Sequence, residues 1–416
     1  MKHTKICEKK GTVEKKVFKI PNPPKPPKTI PKIDGNFKKI TVINPETKFP
    51  LSIFVPKRYS NLKFLNSGAQ GTVVSADDSV TGRKVAIKKM RVEAENARHA
   101  YREFMLMTTI QHPAIIQFLN AFTPNPTLSN FGEVYLVMEL MPYSLSDIIY
   151  GKGDEKPRVY NHLRLSFAIY QMLCGIKHLH DSGVTHRDLK PQNIVVNTNS
   201  DLKIVDFGLA RKISSTQMSH YVATRNYRAP EVIFEEEYTV KVDIWSIGCI
   251  IAEMINHRPL FLGSFSQEVL ERIFETLGTP DLDLLRQWSP GAALHFANSE
   301  RKEPKRMEEI IDDVAEEKKG VGWTNEKLRD LLGKMLKIDP NERVSVEEAL
   351  DHEYLGNWKR TTDPQVLAMA HNPHPGGTHS RYDPNIEMEK RPMEEWKRLF
   401  FEEVQRFQRE HDVFKD

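Results

Sequence analysis

Apolar and polar residues alternate in short runs through the first third of the chain and recur at helical spacing through the rest. LSIFVP (51–56), TVVSA (72–76), KVAIKKM (84–90) and EVYLVMEL (133–140) are rich in β-branched residues and bounded by Gly, Asp or Pro, so each predicts a strand. One helix interrupts them: Ala97, Ala100, Tyr101, Phe104 and Met105 fall at i, i+3, i+4, i+7 and i+8, which turns one apolar face to the sheet. From Leu163 the rhythm is helical, with long runs at 163–180, 242–256, 266–277 and 325–337. VDIWSIGCIIAEMI (242–255) is apolar almost all round and predicts a central buried helix. PMEEWKRLFFEEVQRFQ (392–408) sets Met393, Trp396, Leu399, Phe400 and Val404 on one face, so this last helix must dock on something. The chain reads as α+β, with a β-rich first part and a mainly helical second.

Charge changes the picture at the start. The net +4 over 416 residues hides twelve lysines in residues 1–40, opposed only by Glu8, Glu14 and Asp34, so that stretch carries +9 and the remainder about −5. Six prolines between Pro21 and Pro31 forbid a helix there and favour extended polyproline II. The expectation is a flexible basic tail. Its single aromatic before Phe37 is Phe18, which fits non-specific electrostatics and no specific nucleic acid.

Two further stretches break the periodicity. Between Ser289 and Gly322 the chain turns polar, with ERKEPKR (300–306) and EEKK (316–319), and reads as a surface excursion from the helical unit; HNPHPGGTH (371–379) reads as linker. The N-terminus lacks the apolar core of a signal peptide, and Val242 to Ile255 is broken by Asp243 and Glu253 and too short to span a bilayer, so no membrane is expected. Cys7, Cys174 and Cys249 lie far apart without a CxxC pair, which predicts neither disulfides nor zinc and a reducing compartment: cytosol, nucleus or both.

The chemistry sits in five motifs in fixed order. NSGAQGTV (66–73) lies between two strands, where Gly68 and Gly71 let backbone N–H groups approach phosphate oxygens without Cβ obstruction. Alone it is a weak signal, since most such hairpins are only turns. VAIK (85–88) follows on the third strand, so Lys88 reaches the α/β-phosphates, and Glu103 on the helix is its natural ion-pair partner. HRDLKPQN (186–193) and, thirteen residues on, DFG (206–208) are the strong signal. Asp188 accepts the proton of an attacking hydroxyl, Lys190 neutralises charge on the transferred group, and Asn193 and Asp206 supply hard oxygen ligands for Mg²⁺. APE (229–231) completes the order, which is the standard template of protein-kinase motifs.

On these motifs residues 58–358 resemble a protein kinase domain, which implies a bilobal fold with a β-rich small lobe at 51–138 and a mainly helical large lobe at 139–358. The 1–50 tail and lead-in would precede it, and a 359–416 extension with linker and docking helix would follow. SGAQG (67–71), HAYREFMLM (99–107), VMELM (137–141), YQMLCGIKHLH (170–180) and HRDLKPQNIVV (186–196) are similar to mitogen-activated protein kinases of the c-Jun N-terminal kinase type. The resemblance implies ATP bound by Leu65, Asn66, Ser67, Gly68, Ala69, Gln70, Gly71, Thr72, Val73, Ala86 and Lys88. Met138 would be the gatekeeper, with Glu139 to Met141 the hinge that holds adenine through its backbone. It implies protein substrates carrying Ser/Thr-Pro, from the likeness of VATRNYRAPE (222–231), together with an upstream dual-specificity MAP kinase kinase, phosphatases and a monomer. Phosphates on Ser219 and Tyr221 would switch the enzyme on, pairing with Arg102, Arg187 and Arg211.

Four departures stand out. Asn66 replaces the first glycine of the family's GxGxxG, with its tolerance of positive φ as the expected compensation. The 289–322 insert shares little with the family. NWKRTTDP (357–364) places Lys359 and Arg360 where the family is acidic, with only Asp363 in keeping. Ser219-His-Tyr221 stands for Thr-x-Tyr in a segment one residue shorter, which resembles the divergent KGB-like branch. The rival readings are a cyclin-dependent-like kinase, which would lack Tyr221, and a catalytically weak kinase-fold scaffold, which would have lost Lys88, Asp188 or Asp206.

Overall fold

The computed structural model describes residues 35–68, 71–152, 156–212, 225–289, 291, 294, 300–315, 322–370, 391–411 and 413–414, excepting the side chains at 94, 211, 212 and 365. A hairpin of β1 (Phe37–Ile43) and β2 (Pro50–Pro56) lies beside a five-stranded antiparallel sheet. The sheet is β3 (Tyr59–Gly68), β4 (Gly71–Asp78), β5 (Lys84–Arg91), β6 (Phe118–Phe122) and β7 (Glu133–Glu139), in the order β3-β4-β5-β7-β6. The four strand segments read from alternation lie within β2, β4 and β5 and, to within one residue, β7. β1 falls in the stretch that reads as tail and lead-in; its FKKITVI is a strand because Phe37 packs 5.8 Å from Phe122 and 5.2 Å from Phe414. Residues 1–34 lie outside the described residues.

Helix α1 (Ala97–Thr109) crosses the sheet and buries the whole predicted apolar face together with Arg102 and Glu103. Beyond β7 come β8 (Tyr143–Ser144), α2 (Leu145–Tyr150) and α3 (His162–Asp181), then the short strands β9 (Val184–Thr185), β10 (Ile194–Val196), β11 (Leu202–Ile204) and β12 (Arg211–Lys212). The helices α4 (Pro230–Ile233), α5 (Lys241–Asn256), α6 (Ser266–Leu277), α7 (Leu282–Trp288), α8 (Met307–Ile310), α9 (Asn325–Met335) and α10 (Val346–Leu350) build the rest of the large lobe. Every residue of α5 from Val242 to Met254 is buried, as its all-round apolarity predicts. Gly248 lets α9 approach, since a Cβ there would lie 2.9 Å from Leu336. No helix among the described residues is long and apolar enough to cross a membrane.

Two expectations need correction. The polar excursion does not run unbroken to Gly322: Ile310, Ile311 and Val314 are buried, and Asn256 and Arg329 donate to the Ile310 and Ile311 carbonyls, so the chain is back on the core by α8. The chain continues through α11 (Gly356–Lys359) and α12 (Pro364–Ala370) to α13 (Met393–Glu410), the docking helix. α13 lies on α1 and β6 through Trp396 on Tyr101 (5.9 Å), Phe400 on Phe104 (5.7 Å) and Phe407 on Phe118 (5.4 Å). The predicted face began one turn early, because Met393 is 50% exposed while Phe407 is buried. The HNPHPGGTH stretch lies outside the described residues.

Candidate active site

The sheet register lines up the nucleotide face. Opposed residues of an antiparallel pair share a face, so the pairings Asn66↔Val73, Val73↔Lys88, Lys88↔Leu136 and Ala86↔Met138 put Asn66, Val73, Ala86, Lys88 and Met138 on one side. Met138 and Ala86 are both buried. In the glycine-containing hairpin it is Gly71 that takes a positive φ, 138°, and a Cβ there would lie 2.2 Å from the Lys89 carbonyl oxygen. Asn66 does not use the left-handed region expected of it. It stays extended in β3, and its Oδ1 accepts from the Ser67 N–H at 2.7 Å. Leu65, Asn66, Ser67 and Gly68 are exposed at the hairpin, and the partly buried Thr72 side chain meets that of Ser67 at 3.1 Å. Ala69 and Gln70 lie outside the described residues.

At the hinge, the Glu139 N–H donates to the Gln117 carbonyl, while its carboxylate accepts from the Gln117 N–H and from Lys203 (2.9 Å). Its side chain is thus spent holding the hinge to Gln117 and to β11, and the backbone groups from Glu139 to Met141 are what remain for a base. Lys203 was not anticipated.

Lys88 joins the lobes. Its Nζ lies 2.6 Å from Glu103 on α1 and 3.2 Å from Asp206, across the cleft. Burial works against the ammonium, but the charges of Asp206 and Glu103 outweigh it and hold Lys88 above the ordinary lysine range. Burial also works to raise the Asp206 carboxyl, and the charge and hydrogen bond of Lys88 overcome that, keeping it ionised. Two carboxylates thus share one ammonium. Glu103 is almost closed off while the Asp206 side chain is 22% exposed, so Asp206 is the one a cation can reach. Asp206 takes φ 71°, a backbone conformation that asparagine and aspartate tolerate best.

The catalytic loop is assembled around Asp188. Its Oδ2 accepts from Lys190 Nζ (2.8 Å) and Asn193 Nδ2 (2.9 Å), which leaves Oδ1 for another donor. Asn193 Nδ2 also donates to the Asp188 carbonyl, so the amide is oriented with its oxygen on offer. The Val205 N–H donates to the Asn193 carbonyl (3.0 Å) and ties the two metal-ligand candidates together. A divalent cation fits this donor set of one partly exposed carboxylate and one amide oxygen.

Residues outside the motif reading hold this loop. Asp243, fully buried on α5, accepts from the His186 and Arg187 N–H groups (both 2.9 Å) and from His180 Nε2 (2.9 Å). Burial pushes its carboxyl up, but His180 and the loop amides prevail and hold it below the usual carboxylate range. His186 Nε2 donates to the Val205 carbonyl, leaving Nδ1 to accept from the Asp188 N–H. Glu231 of APE is buried against Arg343, whose Nη1 and Nη2 lie 2.6 and 3.0 Å from its two oxygens. The available signal was Asp243 itself, since an acid inside an apolar helix needs a partner.

Of the three phosphate-pairing candidates, Arg102 is buried on α1, and Arg187 has φ 71° with its guanidinium 5.4 Å from the Tyr238 ring. Arg211 pairs through its backbone with Thr185, which places β12 beside the approach to the catalytic loop. Ser219 and Tyr221, with all of 213–224, lie outside the described residues.

Comparison with known proteins agrees with this geometry. The protein kinase domain family matches residues 59–355. The chain is 49% identical over 390 residues to GLH-binding kinase 1 of Caenorhabditis elegans, covering 91% of this chain and 96% of that one. It is 42% identical to stress-activated protein kinase jnk-1 of the same organism, over 86% of this chain and 75% of the relative. It is 43% identical to stress-activated protein kinase JNK of Drosophila melanogaster, over 84% and 91%. An intact lysine–glutamate–aspartate cluster and catalytic loop in a chain with these relatives make it a member of the protein kinase family: an ATP- and divalent-metal-dependent serine/threonine MAP kinase of the c-Jun N-terminal kinase branch, in stress-type signalling.

Proposed function

We propose that this kinase transfers the γ-phosphoryl group of Mg²⁺-bound ATP to serine or threonine followed by proline, and that phosphorylation of Ser219 and Tyr221 switches it on. The observation that carries this reading is the Lys88–Glu103–Asp206 cluster together with an Asp188 whose second oxygen has no hydrogen-bond donor among the described residues. Mg²⁺-ATP supplies the electrophilic phosphorus and, through the metal, neutralisation of charge on the phosphates. Lys88, held by Glu103, orients the α/β-phosphates. Asp206 and Asn193 are the residues to hold the metal. Asp188 Oδ1 receives the hydroxyl proton of the acceptor while Lys190, 2.8 Å from Oδ2, stabilises charge on the transferred group. Substrate proteins, an upstream dual-specificity kinase, phosphatases, a monomeric state and residence in cytosol and nucleus complete the reading.

Phosphate on Ser219 brings about −1.5 to −2 charge and strong acceptors to Arg102, Arg187 and Arg211. Each charge-assisted bond it makes ties α1 to the catalytic loop and so aligns Lys88. Thr216, three residues before Ser219, is the alternative acceptor in the same segment; wild type, Ser219→Ala and Thr216→Ala are to be treated with an activating kinase and assayed on Ser-Pro and Ser-Ala peptides. Ser219→Ala is expected to lose about ten- to hundredfold in kcat/KM, as one or two charge-assisted bonds are worth, and Thr216→Ala to activate fully. Full activation of Ser219→Ala would move the switch elsewhere. Equal rates on the two peptides would end the proline preference.

A further inference from the structure

One buried carboxylate lies outside the transfer machinery. Glu253 on α5 is 1% exposed, and both its oxygens accept phenol hydrogen bonds of 2.6 Å, Oε1 from Tyr150 and Oε2 from Tyr227. The donors come from opposite sides. Tyr150 ends α2, the helix that follows the hinge and β8; Tyr227 sits three residues before Pro230, within VATRNYRAPE (222–231), the segment whose likeness implies the acceptor preference. A second bond fastens the same corner: His257, the left-handed cap of α5, donates from Nδ1 to the Ile149 carbonyl at 2.9 Å. Ser246, also on α5, donates to the Tyr227 carbonyl at 2.7 Å.

The two tyrosines differ in exposure, and the difference matters. Tyr227 is 5% exposed and would hold Glu253 from within the core in any case. Tyr150 is 42% exposed, so its ring forms the lid between the carboxylate and solvent beside the acceptor segment. Burial pushes the Glu253 carboxyl up, and the two phenol bonds resist that shift. Each oxygen already holds a phenol and the carboxylate is 1% exposed, so a cation reaches Glu253 only if Tyr150 gives way. Without the Tyr150 side chain, Oε1 loses both its partner and its cover beside the acceptor segment, where the most stabilising new partner is a guanidinium or ammonium.

We propose that Tyr150 is a specificity-determining residue: by closing over Glu253 Oε1 it withholds that carboxylate from basic side chains flanking the acceptor residue. The kinase thereby rejects basic peptides that its buried glutamate would otherwise attract. This rests on the reading of the chain as a kinase of peptide acceptors.

The test uses activated full-length enzyme and a neutral Ser-Pro peptide, beside variants carrying one arginine at each position before the acceptor in turn. Tyr150→Ala removes both the hydroxyl bonded to Oε1 and the ring over it. It should raise kcat/KM for at least one arginine peptide about tenfold relative to the neutral one, the size of one charge-assisted bond. The gain should appear in peptide KM, with the KM for ATP unchanged. Adding Glu253→Gln to Tyr150→Ala should abolish it. An unchanged arginine-to-neutral ratio in Tyr150→Ala overturns the proposal even if Glu253→Gln fails to fold. If activated wild type phosphorylates no peptide in the set, the kinase-acceptor reading itself has failed and the proposal falls with it.

Discussion

The two lobes hold their catalytic side chains by different physics. In the large lobe, Asp188 sits in a loop whose backbone is hydrogen-bonded at His186 and Arg187 to a fully buried Asp243. Backbone donors paired inside a core cannot let go without leaving buried polar groups unsatisfied, so the loop has one geometry. In the small lobe, the partner that holds Lys88 is Glu103, and Glu103 rides on α1, whose position is set by aromatic packing against α13 from nearly three hundred residues further on. Packing is non-directional and a helix can slide on it. The comparison teaches that the base is built in permanently, whereas alignment of the phosphate-binding lysine is adjustable, which is where a switch can act.

The largest effect should come from the rigid half. Asp188→Asn is expected to lower kcat by about 10² to 10⁴ while leaving thermal unfolding unchanged, because only a proton acceptor is lost and the amide keeps the shape. A folded variant retaining about a tenth of wild-type kcat would remove Asp188 from the role of base.

A pair of substitutions then separates the two kinds of support. Asp243→Asn should destabilise the protein and, unlike wild type, should show little acid sensitivity from this site. The folded-state carboxyl is held below its unfolded value, so its stabilisation is present above the unfolded carboxylate range, near pH 4, and is lost as pH falls through the folded value. The stability gap between wild type and Asp243→Asn should therefore shrink as pH drops from neutral to about 3. Trp396→Ala, by contrast, should cost about 3 to 5 kcal/mol by chemical denaturation, at every pH alike, and raise the KM for ATP as α1 loosens. If Trp396→Ala left ATP affinity intact, α13 would be a stabiliser with no hold on Lys88.

The smallest effect belongs to the surface. Lys359 pairs with Asp351 and Arg360 with Asn357, all at the edge of α11, so the basic pair is exposed and locally engaged. Reversing both to Glu should strengthen a basic docking peptide by about 1 kcal/mol at low salt and by far less at 1 M salt, as for exposed charges generally. No change in affinity at either salt concentration would place docking elsewhere.

The legible part of this protein was local. Strands with β-branched alternation, α5 with its apolar girth and the ordered motifs each carry their information within a few residues, and the cleft residues they named do come together. The misreadings share a cause. FKKITVI was lost because three of its seven positions are polar and its value lies in Phe37 meeting Phe122 and Phe414. Asn66 was assigned a conformation on its residue preference, yet β3–β4 pairing keeps it extended. Met393 belongs to the helical stripe but starts one turn before α1 is reached.

The sequence by itself determined which residues could perform phosphoryl transfer, because that chemistry needs particular functional groups at particular spacings. Tertiary structure alone decided what holds them. Asp243 beneath the catalytic loop, Lys203 behind the hinge, α13 on α1 and the Tyr150–Glu253–Tyr227 bridge each join residues 26 to about 300 positions apart. Such pairings depend on which faces the packed core brings into contact, and no local pattern of polarity encodes that.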